Sequence, residues 1–302
     1  MCRHLAYLGP EEPLGRFVVE PGHSLYRQSW APRRQRYGTV NADGFGVGWY
    51  ASEDPQPARY RRAGPIWADP SFADLARVVR TGALLAAVRD ATLAGADAEA
   101  AAAPFAAGRW LFSHNGAIPG WPQSVASLVP LLPPVDLLSM EARTDSAFVW
   151  ALALHRLRSG TPPGLALAET VLQVAEAAPT ARLNLLLTDG ETIAATAWGD
   201  SLWYLSEPGH RTVVASEPYD DAPRWREVPD RTLLVASRRG VTLAPVENPI
   251  ESPIGEPVED GPAQDARIQD DPVENPVETR ASSPTLDSVR AGAPPSPKEP
   301  CT

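Results

Sequence analysis

The order of the predicted elements indicates an α+β protein, in which two antiparallel sheets are covered by helices on their outer faces. Short apolar runs of strand length occupy the first third of the chain. A central stretch then shows the apolar period near 3.6 that is typical of helices, and a second series of short strands follows it. Strands on both sides of a helical pair favour two helix-covered sheets over an alternating strand–helix order with a parallel sheet.

The first series of predicted strands covers residues 3–8, 46–50, 84–89 and 109–114. The first ends at Gly9-Pro10 and the last at Asn115-Gly116, and both dipeptides are turn signals. Within this series, Asp69-Pro70 has the pattern of an N-cap followed by a first-turn proline, so it predicts a helix that continues to about residue 80.

Two longer helices and a second group of strands complete the predicted order. One helix begins near Thr144-Asp145 and the next covers about residues 165–178. A hairpin follows, with strands 183–188 and 192–198 joined by a tight turn at Asp189-Gly190. The remaining predicted strands are residues 202–205, 212–216, 233–237 and 241–246.

Charge divides the chain into a body, residues 2–246, and a tail, residues 247–302. The tail holds 12 of the 37 acidic side chains, 4 of the 27 basic ones and 11 of the 33 prolines, and it has no aromatic residue. It repeats the phrase Val-Glu-Asn-Pro but has little apolar surface to bury, so we predict a disordered, acidic, Pro-rich extension. Tethering of a partner remains an alternative. The body is nearly neutral and long enough to bury a core.

Several classes of protein do not fit this composition. Neither part is basic, which argues against nucleic-acid binding. There is no apolar run of the length of a membrane span and no signal-peptide core, and two cysteines suit a reducing cytoplasm. The five histidines lack the spacing of a zinc pair and no dinucleotide motif opens a helix, so we expect neither a metal nor a cofactor. Oligomeric state and protein partners stay open.

Cys2 is the first candidate for chemistry. Methionine is normally removed before a small residue, so processing would leave a thiol and a free α-amine on one residue. The pKa of an α-amine is ordinarily about 7.7–8.0, so the amine can accept the thiol proton near neutral pH. One residue could then supply both nucleophile and base. An incidental cysteine at position 2 is the competing interpretation.

Three further positions have a functional and a structural interpretation. Asn115 and Gly116 could offer a side-chain amide and a backbone N–H to one oxyanion, or form an ordinary turn. Arg89 follows an apolar run, where its fork could bind a substrate carboxylate or an internal one. Asp145 could bind an amine or simply stabilise a helix N-terminus.

Taken in order along the chain, these motifs resemble the class II glutamine amidotransferase domain of the N-terminal-nucleophile (Ntn) hydrolases. The motifs are Cys2, Asn-x-Asp-Gly-x-Gly at 41–46, Arg-x-Ala-Thr at 89–92, Ser-His-Asn-Gly at 113–116 and Thr-Asp-Ser at 144–146. The resemblance spans about residues 2–245. It implies a four-layer αββα sandwich and a γ-glutamyl amidase.

The resemblance also implies a role for each matching position. Cys2 would be the nucleophile, and Asn115 with Gly116 would form the oxyanion hole. Arg89 would bind the glutamyl α-carboxylate and Asp145 the α-ammonium. Thr92 and His114 are expected to line the same substrate pocket.

The opening residues and the segment 108–116 look most like the branch that cleaves γ-glutamyl-hercynylcysteine sulfoxide in ergothioneine biosynthesis. Glutamine-using relatives often carry histidines where this chain has Ala87 and Ala103, which weakens the glutamine-donor interpretation. Two alternatives remain at this point: a glutaminase subunit that supplies ammonia to a synthase, and an inactive binder of γ-glutamyl compounds.

Overall fold

A computed structural model describes residues 2–38, 40–91 and 99–247 of the chain. Thr92 and the predicted tail beyond Glu247 lie outside the described residues. The strands are β1 (Arg3–Pro13), β2 (Phe45–Trp49), β3 (Ala58–Arg62), β4 (Arg80–Val88), β5 (Phe105–Ala107), β6 (Trp110–Ala117), β7 (Arg182–Thr188), β8 (Thr192–Ala197), β9 (Trp203–Glu207), β10 (Arg211–Ala215), β11 (Arg226–Glu227), β12 (Thr232–Ser237) and β13 (Gly240–Pro245). The α-helices are α1 (Gly15–Val18), α2 (Leu25–Gln28), α3 (Pro70–Val78), α4 (Pro134–Leu138), α5 (Asp145–Arg158) and α6 (Pro163–Ala177), and 3-10 turns cover Ile66–Ala68 and Gln123–Leu131.

The strands form two antiparallel sheets. One sheet has the order β11-β9-β10-β1-β4-β2-β3, and the other has the order β13-β12-β8-β7-β6-β5. β1 lies near the middle of its sheet, between β10 and β4, with Arg3 opposite Val88. In the other sheet, β6 pairs with β7, with Asn115 opposite Asn184. The beginning of β1 and the end of β4 therefore lie at the same edge.

Three apolar clusters show that the protein is a four-layer αββα sandwich. Strand side chains alternate between two faces, so each sheet contributes one face to the space between the sheets and one to its helices. Ala6, Leu85 and Leu186 belong to the cluster between the sheets. The outer face of the first sheet packs with α1, α2 and α3. The outer face of the second packs with α5 and α6. The predicted fold class is confirmed.

The longer predicted elements agree with the structure. The predicted helix after Asp69 is α3, and the Asp69 side chain accepts hydrogen bonds from the backbone N–H groups of Ser71 and Phe72. Thr144 caps α5 in the same way by accepting from Ala147 at 3.2 Å. The hairpin at Asp189-Gly190 is also present as β7 and β8.

Two predicted strand ends are wrong. β1 continues beyond Gly9-Pro10 to Pro13, because a register shift between Leu8 and Glu12 lets the chain resume its pairing with β4. β6 continues beyond His114 to Ala117. Asn115-Gly116 is therefore not a turn, because both residues pair with β7 inside the sheet. The tight-turn interpretation of this dipeptide is excluded.

Glycines of β2 let the two sheets approach each other closely. Gly46 faces the other sheet, and a Cβ built on it would lie 2.4 Å from the carbonyl oxygen of Ala103. At Gly48 the nearest atom would be a methyl of Leu111, at 2.7 Å. The glycines of the segment after residue 41 thus hold β2 close to another backbone. No helix in the described ranges is long and apolar enough to cross a membrane.

Candidate active site

Three candidate residues, Cys2, Arg89 and Asn115, converge because they continue the strand faces that point between the sheets. Ala6 and Leu8 face the other sheet from β1, and steps of two residues lead back from them to His4 and Cys2. The same alternation places Arg89 after β4 and Asn115 on β6 at this edge. Residues far apart in the chain thus meet where the apolar layer between the sheets ends.

A small cavity at this edge brings four of the chemistry-bearing side chains together. Cys2, Arg89, His114 and Ser146 line it. The rest of the wall is Ala87, Val88, Ala101, Ala103 and Phe105. Asn115 and Asp145 are not on the wall, but each contacts a residue that is. Ala87 and Ala103, the two alanines singled out in the sequence, both belong to the cavity.

The environment of the Cys2 thiol determines how it must be activated. Burial raises the pKa of the thiol above its usual value, and the carboxylate of Asp145 acts in the same direction. The guanidinium of Arg89 and a hydrogen bond from the backbone N–H of Asp90 lower this pKa, but they do not outweigh burial. The thiolate is the nucleophilic form of cysteine, so this thiol needs a nearby base.

Asn115 is held against the backbone nitrogen of Cys2. That nitrogen donates to Asn115 Oδ1 at 3.2 Å, and Asn115 Nδ2 donates to the hydroxyl of Ser216 at 3.3 Å. A primary amide has two N–H donors, so one N–H of Nδ2 is left for another acceptor. Asn115 is completely buried, which limits it to this orientation.

Gly116 occupies a position that has no room for a side chain. A Cβ at residue 116 would lie 1.9 Å from the carbonyl oxygen of Arg182 and 2.5 Å from His114 Nε2. The first atom belongs to the backbone of the neighbouring strand and cannot move without displacing β7. A glycine is therefore required by packing between β6 and β7.

We predict that Gly116→Ala destabilises the protein by about 1–3 kcal/mol, the cost typical of overpacking. The displaced strand also carries the oxygen that holds His114, so activity should fall as well. Chemical denaturation of the two proteins measures the change. Gly64→Ala is the matched control, because a Cβ there would meet nothing within 4 Å. Equal stability of Gly116→Ala and the native protein would contradict the packing argument.

His114 connects the cavity to two elements. Its Nε2 lies 2.9 Å from the carbonyl oxygen of Arg182, and its Nδ1 lies 3.1 Å from the hydroxyl of Ser146 at the start of α5. The ring is almost completely buried. It therefore joins β6, β7 and α5 at the cavity wall, where the sequence places it.

Arg89 is positioned by the segment that precedes β2. Its backbone N–H donates to the carbonyl of Gly44 at 2.8 Å, and its Nη1 donates to the carbonyl of Asp43 at 3.1 Å. Within the described residues, no carboxylate forms an ion pair with this guanidinium at salt-bridge distance. An internal salt bridge, the structural interpretation of Arg89, is therefore not supported there, and the remaining N–H groups can face a ligand carboxylate.

Asp145 links α5 to the end of β6. Its Oδ2 accepts from the backbone N–H of Ile118 at 3.0 Å, and its Oδ1 accepts from the backbone N–H of Ser146 at 2.8 Å. Thr144, not Asp145, supplies the N-cap of α5. The carboxylate is thus a fixed negative charge behind the Ser146 side of the cavity.

His4, two residues after Cys2, is a buried neutral histidine. Its Nδ1 lies 3.2 Å from the hydroxyl of Ser113. Burial lowers the pKa of His4 to about 3, and the charge of Arg3 acts in the same direction. A depressed histidine pKa means that the unfolded chain binds a proton in a range where the folded protein does not.

We predict that His4 makes the protein lose stability as the pH falls from about 6.5 towards 3. Between these pH values, one such residue changes the free energy of unfolding by roughly 1.4 kcal/mol per pH unit. Above pH 6.5 its contribution is constant. Across this range, the free energy of unfolding should fall less steeply with decreasing pH for His4→Gln than for the native protein. If the folded His4 ring titrated near pH 6.5 by nuclear magnetic resonance, the prediction would be wrong.

Two serines, Ser216 and Ser146, belong to the site, although the sequence analysis assigns neither of them a role. Ser216 follows β10, and its hydroxyl accepts from both Asn115 Nδ2 and the backbone N–H of His4. Ser146 belongs to the Thr-Asp-Ser motif, yet the motif alone does not indicate which of its side chains faces the cavity. The adjacent Glu217 accepts backbone N–H bonds from Arg33 and Arg34, at 3.0 and 2.6 Å, and so fastens the loop between α2 and β2.

Three aromatic residues outside the strands and α-helices, Trp30, Tyr37 and Trp121, pack against other side chains of the protein. Trp30 packs edge-on against Tyr26 and Trp67, Tyr37 lies over the guanidinium of Arg182, and Trp121 packs against Phe148. None of these rings is among the residues that line the cavity with Cys2. In the described ranges, no group of three or more His, Cys, Asp or Glu side chains could hold a metal ion.

Comparison with known proteins agrees with this arrangement. The chain matches the family of class-II glutamine amidotransferases over residues 19–212. It is 41% identical to gamma-glutamyl-hercynylcysteine sulfoxide hydrolase from Mycolicibacterium smegmatis over 247 residues, which cover 82% of this chain and 100% of that protein. It is 40% identical to the protein of the same name from Mycobacterium tuberculosis over 248 residues, which cover 82% of this chain and 97% of that one.

Solved structures share the fold. A glutamine aminotransferase class-II domain protein from Silicibacter pomeroyi superposes with a TM-score of 0.60 and 25% identity, covering 81% of this chain and 99% of that one. Glutamine phosphoribosylpyrophosphate amidotransferase from B. subtilis superposes with a TM-score of 0.55 and 17% identity, covering 81% of this chain and 49% of that one. The family match covers more than half of the chain, and the chain is 41% identical to a relative that it covers in full. The chain therefore belongs to the class-II glutamine amidotransferases.

Proposed function

We propose that the protein is a γ-glutamyl amidase that releases glutamate from γ-glutamyl-hercynylcysteine sulfoxide, as in ergothioneine biosynthesis. The observation that carries the proposal is the cavity that Cys2 and Arg89 line together, while Asn115 holds the Cys2 backbone nitrogen. A nucleophile, an anion-binding group and an amide donor are the parts that hydrolysis of a glutamyl amide requires. A small γ-glutamyl compound is the proposed substrate, and the cytoplasm is the proposed location, because a chain with two cysteines suits a reducing compartment.

The first half of the reaction forms a thioester on Cys2. Once Met1 is removed, the nitrogen beside Asn115 becomes an amine that accepts the thiol proton. The thiolate attacks the γ-carbonyl carbon, and the oxyanion that develops is stabilised by the remaining N–H of Asn115 Nδ2 and by the N–H of Gly116. The protonated amine gives its proton to the departing nitrogen, so the C–N bond breaks and the free amine product leaves.

The second half restores the enzyme. A water molecule gives a proton to the α-amine of Cys2 and attacks the thioester carbonyl. The C–S bond breaks, glutamate is released and the thiolate is protonated again. Through both halves, Arg89 would hold the α-carboxylate of the glutamyl group and Asp145 would balance its α-ammonium.

The leaving group is proposed from the relatives and from the shape of the site. Two mycobacterial relatives that the chain matches over nearly their whole lengths are named gamma-glutamyl-hercynylcysteine sulfoxide hydrolase. Ala87 and Ala103 both line the cavity, so it is wider than one with histidines at these positions. A wider cavity suits a substituted amine better than the ammonia released from glutamine.

A substrate comparison tests the proposal. The processed protein is incubated with γ-glutamyl-hercynylcysteine sulfoxide or with glutamine, and released glutamate is measured for each. We expect kcat/KM to be much higher for the sulfoxide. Faster hydrolysis of glutamine would instead indicate a glutaminase that supplies ammonia to a synthase, and binding of both compounds without turnover would indicate an inactive binder.

A further inference from the structure

We propose that the Ser146 hydroxyl is a direct ligand of the substrate α-ammonium, and that His114 is the positioning residue that orients it. This inference rests on the proposed function, because it concerns the glutamyl group of the same substrate. It adds a specificity-determining side chain to the site, at a position that has no assigned role.

The hydrogen bonds of His114 determine its tautomer. Nε2 lies 2.9 Å from the Arg182 carbonyl oxygen, which can only accept, so Nε2 must carry a proton. In the neutral ring Nδ1 then has a lone pair, and the group 3.1 Å from it is the Ser146 hydroxyl. That hydroxyl must therefore be the donor.

The consequence lies on the other side of the Ser146 oxygen. A hydroxyl has one proton and two lone pairs. Here the proton goes to His114 Nδ1, which is 3.1 Å from the Ser146 oxygen, rather than to Asp145 Oδ1, which is 3.5 Å away. Ser146 lines the cavity together with Cys2 and Arg89. At this wall Ser146 consequently presents only an acceptor, which an ammonium can use and a carboxylate cannot. Arg89 lines the same cavity and offers donors only.

The charges around Ser146 also favour an ammonium at this position. The N-terminus of α5 carries partial positive charge, which alone would disfavour a cation. Asp145, the first residue of α5, places a carboxylate next to Ser146 and offsets that charge. An α-amino acid fits this pattern, because its ammonium would meet the acceptor while its carboxylate meets Arg89.

Ser146→Ala tests the assignment through two ligands that differ only in the ammonium. Binding of glutamate and of glutarate, which lacks the amine, is measured by calorimetry for the native protein and the variant. Glutamate should bind about 10- to 100-fold more weakly to Ser146→Ala, the loss typical of one hydrogen bond to a charged group. Binding of glutarate should not change. KM for the sulfoxide substrate should rise by a similar factor with little change in kcat.

Controls separate this role from a structural one. Ser159→Ala removes a hydroxyl that bonds the His155 carbonyl at the opposite end of the same helix, and it should leave both ligands unaffected. Equal weakening of glutamate and glutarate by Ser146→Ala, or no weakening, would overturn the proposal. Native protein without γ-glutamyl hydrolysis would sink the proposed function, whereas the glutamate–glutarate comparison would still decide the role of Ser146.

The role of His114 has its own spectroscopic test. In a ¹H–¹⁵N spectrum, His114 should be the Nε2–H tautomer, with an unprotonated Nδ1 whose resonance shifts in Ser146→Ala. A protonated Nδ1 in the native protein would mean that Ser146 accepts from the ring, and the proposal would fail.

Discussion

Cys2→Ala is expected to abolish hydrolysis of γ-glutamyl-hercynylcysteine sulfoxide, with a fall in kcat of at least about 10³-fold. Of the other nucleophilic side chains that line the described cavity, the Ser146 hydroxyl is bonded to His114, and both ring nitrogens of His114 are in hydrogen bonds, which leaves the thiol to attack. Alanine removes the sulfur that would carry the acyl group and leaves the backbone nitrogen in place. Glutamate release under saturating substrate measures the effect.

Cys301→Ala is the matched control for this substitution, because it removes the second cysteine of the chain from the predicted tail. Its activity should equal that of the native protein. Binding of glutamate by Cys2→Ala, measured separately, establishes that the site is intact. Substantial turnover by Cys2→Ala would show that another group attacks the amide and would exclude the proposed mechanism.

Asn115→Asp is expected to lower kcat by about 10²- to 10³-fold, the loss typical of one oxyanion donor. Aspartate preserves the shape of the side chain and an acceptor for the Cys2 nitrogen. It removes both N–H donors, however, and its negative charge would lie beside the developing oxyanion. KM should change much less than kcat, because the missing interaction is made mainly in the transition state.

Asn275→Asp makes the same chemical change in the predicted tail and should not alter kcat. Unfolding midpoints of the native protein and the two variants separate loss of fold from loss of catalysis. If Asn115→Asp retained native kcat, Asn115 would serve only to hold the Cys2 backbone nitrogen and the hydroxyl of Ser216.

Patterns in the sequence predict most of the architecture because each long element carries its own local signal. Thr144-Asp145 marks the start of α5, and the Asp189-Gly190 turn marks the hairpin of β7 and β8. Short elements without a complete period, such as α1 and α2, have no comparable signal. β3 is rich in arginine and lies at a sheet edge, so it lacks the apolar alternation of a buried strand.

The site is predictable as a set of residues but not as a network. Asn115-Gly116 looks like a turn in the sequence, but in the structure its pairing with β7 keeps it extended. The Ser216 hydroxyl orients Asn115, and the backbone carbonyl of Arg182 orients His114. These contacts join residues distant in sequence, so no local pattern encodes them. The role of Thr92 stays a prediction, since it lies outside the described residues.

The most direct test of the central claim, that Cys2 carries the glutamyl group, is mass spectrometry of the N-terminal peptide after turnover is stopped with acid. We expect a chain that begins at Cys2 and carries a γ-glutamyl adduct on its sulfur, absent when substrate is omitted. An active protein that retains Met1, or an adduct on any other residue, would contradict it.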